Sequence, residues 1–293
     1  MLLWGFNVPV LKIIVEQAPP ITITSLRILT AGIFVFIVLT LLRIVRMPRG
    51  KEGIYILLGS LLNVVGHHYF LSMGLTKTSA ANSGLILGLG PLLTSFLAMA
   101  FLKQMPTIVR FIGFLLGTFG TSLTILGNGN GLSGINIGDF YIFISILLQA
   151  LSFILISKAA KTLDPRLLTG YMLVIGSIIL FLLSTWLEPS GLQELKSVSR
   201  ITWLLFLGSA ILGTAVGHMV YNFSIGKIGA AESAIFLNLS TFFSLVGSMI
   251  ILNEQITAFH IVGLLFIICG VLLGSGTLEE LLLRKRRNSY RKV

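Results

Sequence analysis

Polar side chains recur at helical spacing inside long apolar stretches of this sequence. Residues at positions i, i+4, i+7 and i+8 share one face of an α-helix, and a lipid-facing surface would not carry such a row. The polar stripes are Thr214, His218, Tyr221 and Asn222; Ser145, Gln149 and Ser152; and Asn63 with His67. Amides, hydroxyls and imidazoles can hydrogen-bond a small polar molecule, although an interhelical hydrogen bond explains any one of them equally well. Together the stripes predict a central polar cavity.

Four further residues are candidates to line this cavity. Trp4 and Asn7 would add an aromatic wall and an amide from the first apolar stretch. His68 points about 100° away from His67 around a helix, so we expect one of the two histidines to face the cavity and the other a neighbouring helix. Pro91, in the stretch GLGP, predicts a kink that frees backbone carbonyls, which lipid does not tolerate but a wet cavity does. A kink that serves packing alone is the alternative.

Acidic and sulfur-containing side chains limit the chemistry that this sequence can support. All ten Asp and Glu residues lie at or near the ends of predicted helices. A proton carrier would therefore be His67, His68 or His218, with Glu232 as a minor candidate. The single cysteine, Cys269, cannot form an intramolecular disulfide, and the four histidines do not have metal-ligand spacing. Since no catalytic constellation is present in the sequence, we expect no enzyme activity, no cofactor and no metal.

The composition of the chain identifies the solvent in which these elements fold. Of the 293 residues, 55% are hydrophobic and 11% are charged, and the mean hydropathy is +0.97. Crossing about 30 Å of hydrocarbon takes about 20 apolar residues. Ten segments qualify, near residues 2–17, 21–45, 53–74, 79–102, 107–126, 138–160, 165–187, 201–224, 229–252 and 257–277. The sequence therefore predicts an all-α integral membrane protein with ten transmembrane helices.

Lysine and arginine are distributed unevenly between the predicted loops. With both termini in the cytoplasm, the inner side receives 16 of the 21 basic residues, which satisfies the positive-inside rule. The net charge of +11 therefore reports orientation in the membrane and not nucleic-acid binding. The basic tail from Arg284 to Lys292 is expected to meet anionic lipid of the inner leaflet.

Two short motifs, KTSAANS from Lys77 and KIGAAES from Lys227, stand 150 positions apart. At the same offset further residues are identical: His68 with His218, Met99 with Met249, Gly113 with Gly263, and Gly120 with Gly270. The chain thus divides into two five-helix repeats, at 1–126 and 138–277, and a basic tail at 278–293. Because five is odd, the second repeat enters the membrane inverted. In each motif a cap-capable residue, Ser79 or Gly229, predicts a helix N-terminus.

An inverted repeat favours a secondary transporter, because exchanging the conformations of the two halves opens a shared site to alternate faces. We expect a small neutral or zwitterionic substrate such as an amino acid, since no deep cluster of basic residues is evident. Lys12 and Arg27 lie near the outer helix ends and are expected to snorkel. Exchange of nucleotide sugars or phosphorylated metabolites is an alternative within transport. Outside transport, the alternative function is that of a membrane-embedded enzyme or a lipid-binding accessory subunit.

Several stretches resemble the EamA-like branch of the drug/metabolite transporter superfamily. They are LLWGFNVPVLK, PPITITSLRILTAG, TSAANSGLILGLGPLLTSFLAMAFL and LNEQITAFHIVGLLFIICGVLLG, in that order along nearly the whole chain. The resemblance implies a metabolite exporter in the cell membrane of a prokaryote. The second copy departs from the first at Asn238, which stands opposite Gly88 and joins the candidate substrate site, while Gln104 stands opposite Glu254. Substrate identity and oligomeric state do not follow from the resemblance.

Overall fold

The computed structural model describes residues 1–102, 107–126, 136–234 and 236–274, in which helices are the only regular elements. The α-helices are α1 (Leu2–Gln17), α2 (Pro20–Leu41), α3 (Glu52–Gly59), α4 (His67–Leu75), α5 (Ala80–Leu87), α6 (Gly90–Leu102), α7 (Ile108–Leu126), α8 (Ile137–Ala159), α9 (Pro165–Leu187), α10 (Gly191–Glu194), α11 (Arg200–Gly208), α12 (Gly217–Ile228), α13 (Ala230–Ala234), α14 (Leu237–Leu252) and α15 (Ala258–Gly274). The predicted all-α class is confirmed over these ranges.

Six helical segments in the described part of the chain are long and apolar enough to cross a membrane. They are Pro20–Leu41, Glu52–Leu75, Ala80–Phe101, Ile137–Ala159, Pro165–Leu187 and Arg200–Ile228. Each agrees within a few residues with one of the predicted spans. Shorter apolar helices occupy other predicted positions, and the total of ten spans stays a prediction. The tail at 278–293 and Gln104 lie outside the described residues.

Two of the long segments are π-helical in the middle. Residues Ser60–Gly66 join α3 to α4, and residues Ser209–Val216 join α11 to α12. The sequence-based prediction missed both, although each starts at the serine of a Gly-Ser pair and ends within a Val-Gly-His stretch. Because π-helical hydrogen bonds run from i to i+5, the turn is wider than in an α-helix, and such segments are frequent at functional sites. Each half of the chain thus carries one irregular helix at a corresponding place.

The helix starts predicted from the two KxxAAxS motifs are confirmed. The hydroxyl oxygen of Ser79 accepts a hydrogen bond from the Asn82 amide at 3.0 Å, and α5 begins at the next residue. Gly229 precedes the start of α13 and has a φ of 98°, which L side chains rarely adopt. A glycine is therefore required there, because α12 ends and α13 begins within a single residue.

Two glutamates hold helix starts that are distant in sequence. Glu188 accepts hydrogen bonds from the amides of Ile21 and Thr22 at 3.0 and 2.8 Å, and Glu254 accepts from those of Ala80 and Ala81 at 2.9 and 2.8 Å. The first amides of a helix have no intrahelical partner, and the helix dipole favours a negative charge beside them. Each carboxylate therefore fastens a helix of the first half to a loop of the second.

Helices that correspond in the two predicted repeats pack against each other. Helix α2 lies on α9, and α7 lies on α15. Helices that do not correspond also pack symmetrically. Helix α9 packs on the π-helical segment Ser60–Gly66, and its counterpart α2 packs on the other π-helical segment, Ser209–Val216. The cavity described below lies where α1, α4, α8 and the second π-helical segment meet.

Candidate functional site

Polar side chains from both halves of the chain border a central cavity of about 80 Å³. This space can hold several water molecules, since one water needs roughly 10–15 Å³ measured in the same way. Seven of the predicted site residues line it: Trp4, Asn7, His67, His68, Gln149, Thr214 and His218. Apolar side chains, among them Val8, Leu11 and Ile146, complete the wall, and sequence periodicity did not distinguish these from ordinary core residues.

The other predicted site residues whose side chains the structure describes do not line this cavity. The Asn63 amide donates to Ser152 Oγ at 2.7 Å, and the Asn222 amide donates to Thr169 Oγ1 at 2.9 Å, so both join helices outside the cavity wall. Tyr221 packs behind Trp4, with ring centroids 5.0 Å apart. The side chains of Glu232 and Asn238 lie outside the described part of the structure.

The predicted kink at GLGP is present as a break between α5 and α6. Helix α5 ends at Leu87 and α6 begins at Gly90. Pro91 stands in the first turn of α6, where its missing N–H removes no helical hydrogen bond, and it does not line the cavity. Leu87, at the end of α5, does line the cavity. The break therefore touches the cavity through Leu87 and not through the proline.

His67 is held by α8. Its Nδ1 lies 2.7 Å from Ser145 Oγ, while the Ser145 hydroxyl donates to the His67 carbonyl at 2.8 Å. The Gln149 amide nitrogen lies 3.0 Å from Nε2. Since the hydroxyl proton is already donated and the amide can only donate to Nε2, the consistent tautomer carries its hydrogen on Nδ1. His67 is thus a fully hydrogen-bonded part of the wall.

His68 and His218 have ring nitrogens without protein partners. Each residue is 4% exposed, and their ring centroids are 5.7 Å apart. His218 Nδ1 lies 3.0 Å from the Thr214 carbonyl, but its Nε2 has no hydrogen bond, and neither nitrogen of His68 has one. The prediction that only one of His67 and His68 faces the cavity was wrong, because both line it. Buried polar atoms without partners are rare in proteins, so these nitrogens mark a place for a ligand or water.

Trp4 separates the central cavity from a second space. Its Nε1 donates to the Gly213 carbonyl at 2.7 Å, and its ring lies 5.1 Å from the His218 ring. On its other side is a mainly apolar groove of about 380 Å³, which Met1, Leu3 and residues of α12 also line. Removing the indole would therefore join the two spaces.

Arg27 is buried, which corrects the prediction that it snorkels to the outer surface. It is 1% exposed, and one guanidinium nitrogen, Nη1, donates to Thr214 Oγ1 with Ser209 Oγ 3.5 Å away. Its Nε has no partner, and no carboxylate of the described residues pairs with it. A long side chain near a helix end can turn either way, and the direction depends on the facing helix, which the local sequence does not reveal.

Comparison with known proteins identifies the family. The model of the EamA-like transporter family matches residues 1–126 and 136–276. The chain belongs to the EamA-like transporter family. An uncharacterized transporter of Bacillus subtilis, YyaM, is 30% identical over 228 residues, which cover 77% of this chain and 73% of the relative. A second uncharacterized transporter of that bacterium, YvbV, is 27% identical over 93% of this chain and 88% of its own.

The fold is also shared with a solved structure. A crystal structure of a protein with 16% sequence identity superimposes with a TM-score of 0.68, covering 96% of this chain and 97% of its own. As an EamA-like transporter, the chain is a multi-pass membrane protein. Both of these relatives are named transporters and not enzymes, so the family predicted from the sequence motifs is confirmed and the expectation of a non-enzyme is supported.

Proposed function

We propose that this EamA-like transporter exports small neutral or zwitterionic metabolites, such as amino acids, across the cell membrane by alternating access. The observation that carries the proposal is the cavity between the halves, where His68 and His218 present buried ring nitrogens without protein partners. A small solute with hydrogen-bonding groups would satisfy them. The outward direction is inferred from the family resemblance. The distribution of basic residues supports a cytoplasmic position for both termini.

Packing between corresponding helices supports the inverted repeat on which alternating access depends. A Cβ at Gly113 would lie 2.6 Å from the Gly270 carbonyl oxygen, and one at Gly120 would lie 2.7 Å from that of Gly263. In the predicted repeat Gly113 corresponds to Gly263 and Gly120 corresponds to Gly270, so the two contacts are equivalent. Helices α7 and α15 therefore run antiparallel through equivalent contacts, as a two-fold axis in the membrane plane requires.

Exchange of nucleotide sugars or phosphorylated metabolites is less well supported. A phosphate-bearing substrate would be expected to need paired deep cations, as multiply charged groups favour several basic partners. Of the two basic residues considered for the site, Lys12 is bound to Glu16 at 2.7 Å and to the carbonyls of Leu75 and Thr78. Only the charge of Arg27 is left without an acidic partner in the described cavity region.

The inverted topology has a direct test at the two lysines of the KxxAAxS motifs. Lys77 and Lys227 are both exposed. In a Cys269→Ser background, Lys77→Cys and Lys227→Cys are expected to react with a membrane-impermeant maleimide from opposite sides of the cell membrane. Labelling intact cells and inside-out vesicles measures this. Reaction of both positions from one side would contradict the inverted repeat and the transport cycle built on it.

His218→Ala is expected to abolish transport without loss of folded protein. The substitution removes the unpartnered Nε2 and enlarges the cavity, whereas the backbone contacts of α12 remain. Counterflow of radiolabelled amino acids into proteoliposomes measures the effect, with size-exclusion chromatography to check folding. Leu204→Ala is the matched control, because Leu204 lies on the same continuous helix and is 70% exposed. Normal counterflow in His218→Ala would contradict the proposed site.

A further inference from the structure

We propose that the solute in the central cavity carries a carboxylate, and that Arg27 selects it by fixing the Thr214 hydroxyl as a donor toward the cavity. This inference rests on the proposed function and specifies its substrate class. Arg27 acts through Thr214 and His68 and is therefore a positioning residue.

The first argument is the charge of Arg27. A guanidinium stays protonated in proteins, and burying a charge without a counter-charge is far more costly than burying a matched pair. The ion pairs of the described residues join Lys12 to Glu16, Arg46 to Glu52 and Arg166 to Asp164. Arg27 is more deeply buried than these, yet among the described residues only hydroxyl oxygens accept hydrogen bonds from its guanidinium. One positive charge beside the cavity is thus left for a ligand to balance.

The second argument is the direction of the Thr214 hydroxyl. Because Thr214 Oγ1 accepts a hydrogen bond from Arg27 Nη1, its own hydrogen must point elsewhere. Thr214 belongs to the cavity wall, and its backbone carbonyl is already paired with His218 Nδ1 at 3.0 Å. The hydroxyl is therefore available as a donor to an acceptor in the cavity, and the adjacent guanidinium strengthens it for an anionic one.

The third argument concerns the imidazoles around this hydroxyl. His68 lines both the central cavity and a narrow space that contains Arg27, so it stands between the charge and the ligand. The unpartnered nitrogens of His68 and His218 lie on the same wall as Thr214. A neutral imidazole can donate one hydrogen bond. Two carboxylate oxygens can accept from several such donors at once, whereas a solute with a net positive charge would find no carboxylate among the described cavity-lining residues.

The experiment compares matched acids and carboxamides. Purified wild-type protein is titrated with each amino acid and with its carboxamide, and binding is followed by thermal shift and by competition in counterflow. We expect the acids to bind at least about tenfold more tightly than their carboxamides, as loss of a charge-assisted hydrogen bond predicts. Arg27→Gln should lose this preference, and Arg27→Lys should restore most of it. Carboxamides that bind as tightly as the acids, or a preference retained in Arg27→Gln, would overturn the inference.

A second pair of variants covers the case in which Arg27→Gln does not fold. Thr214→Ser keeps the hydroxyl and should retain the preference for acids, whereas Thr214→Val has nearly the same shape without it and should lose the preference. Equal preference in both variants would overturn the role of the hydroxyl. Counterflow of carboxamides without discrimination would leave the proposed transport function intact and overturn only this inference. If no member of the panel binds and none is exchanged, the proposed function itself is overturned.

Discussion

Gly113→Ala is expected to lower the melting temperature of the purified protein, whereas Gly208→Ala is expected to raise it slightly. A Cβ at Gly113 would lie 2.6 Å from the Gly270 carbonyl oxygen, and real Cβ atoms essentially never come within 3.0 Å of such a neighbour. Because the neighbouring atoms belong to the backbone of α15, they cannot rotate away. Helices α7 and α15 must therefore separate, and overpacking of this kind costs about 1–3 kcal/mol.

Gly208 is the matched control for this prediction. It also lies in a helix, but a Cβ there would meet no heavy atom within 4 Å. Alanine is favoured over glycine in a helix interior by about 1 kcal/mol, so the same substitution should stabilise where space is open. The direction of the melting-temperature shift in each variant is measured by heating the protein in detergent and monitoring the loss of the monodisperse size-exclusion peak. A shift of the same sign in both variants would show that close packing of α7 against α15 is not what requires the glycine.

Trp4→Ala is expected to remove substrate-driven counterflow almost completely and to lower stability. The indole lines both the central cavity of about 80 Å³ and the groove of about 380 Å³, so we expect its loss to connect them. A solute could then leave the cavity without the change of conformation that the proposed alternating access requires. Truncating a large aromatic residue costs about 3–5 kcal/mol when it is fully buried, and Trp4 is partly buried, so a smaller loss is expected.

Trp4→Phe distinguishes the role of the ring from that of its hydrogen bond. Phenylalanine retains an aromatic face against His218 and Tyr221 but loses the bond to the Gly213 carbonyl, which is worth about 1 kcal/mol. We expect Trp4→Phe to keep most of the counterflow and to be only slightly destabilised. Counterflow is measured in proteoliposomes at equal amounts of folded protein. Similar activity in Trp4→Ala and the wild type would exclude the indole as a barrier.

The helix starts were predictable because their determinants are local. Ser79 and the residues after it specify a capped helix start by their own side chains, and α5 begins there. The limits of Ile137–Ala159 likewise follow from apolar length and from the capping box formed by Asn136 and Asp139. Such signals lie within a few residues of the feature that they predict.

The orientation of buried polar residues was not predictable because it depends on distant partners. Arg27 turns inward because the hydroxyl oxygens of Ser209 and Thr214, in the other half of the chain, accept hydrogen bonds from its guanidinium. His67 and His68 differ by about 100° around their helix, yet both line the cavity, because residues of several helices surround it. The apolar pattern states that a face is buried but does not state which element covers it.

The glutamates that cap α2 and α5 have a consequence for the rate of the transport cycle. Glu188 and Glu254 each accept two backbone hydrogen bonds from the opposite half of the chain. Parting the halves at this surface would uncover four amides and two carboxylates together, and water would have to hydrate all of them. We therefore expect the hydration of these amides and carboxylates, which lie away from the solute, to contribute to the activation barrier for separating the two halves.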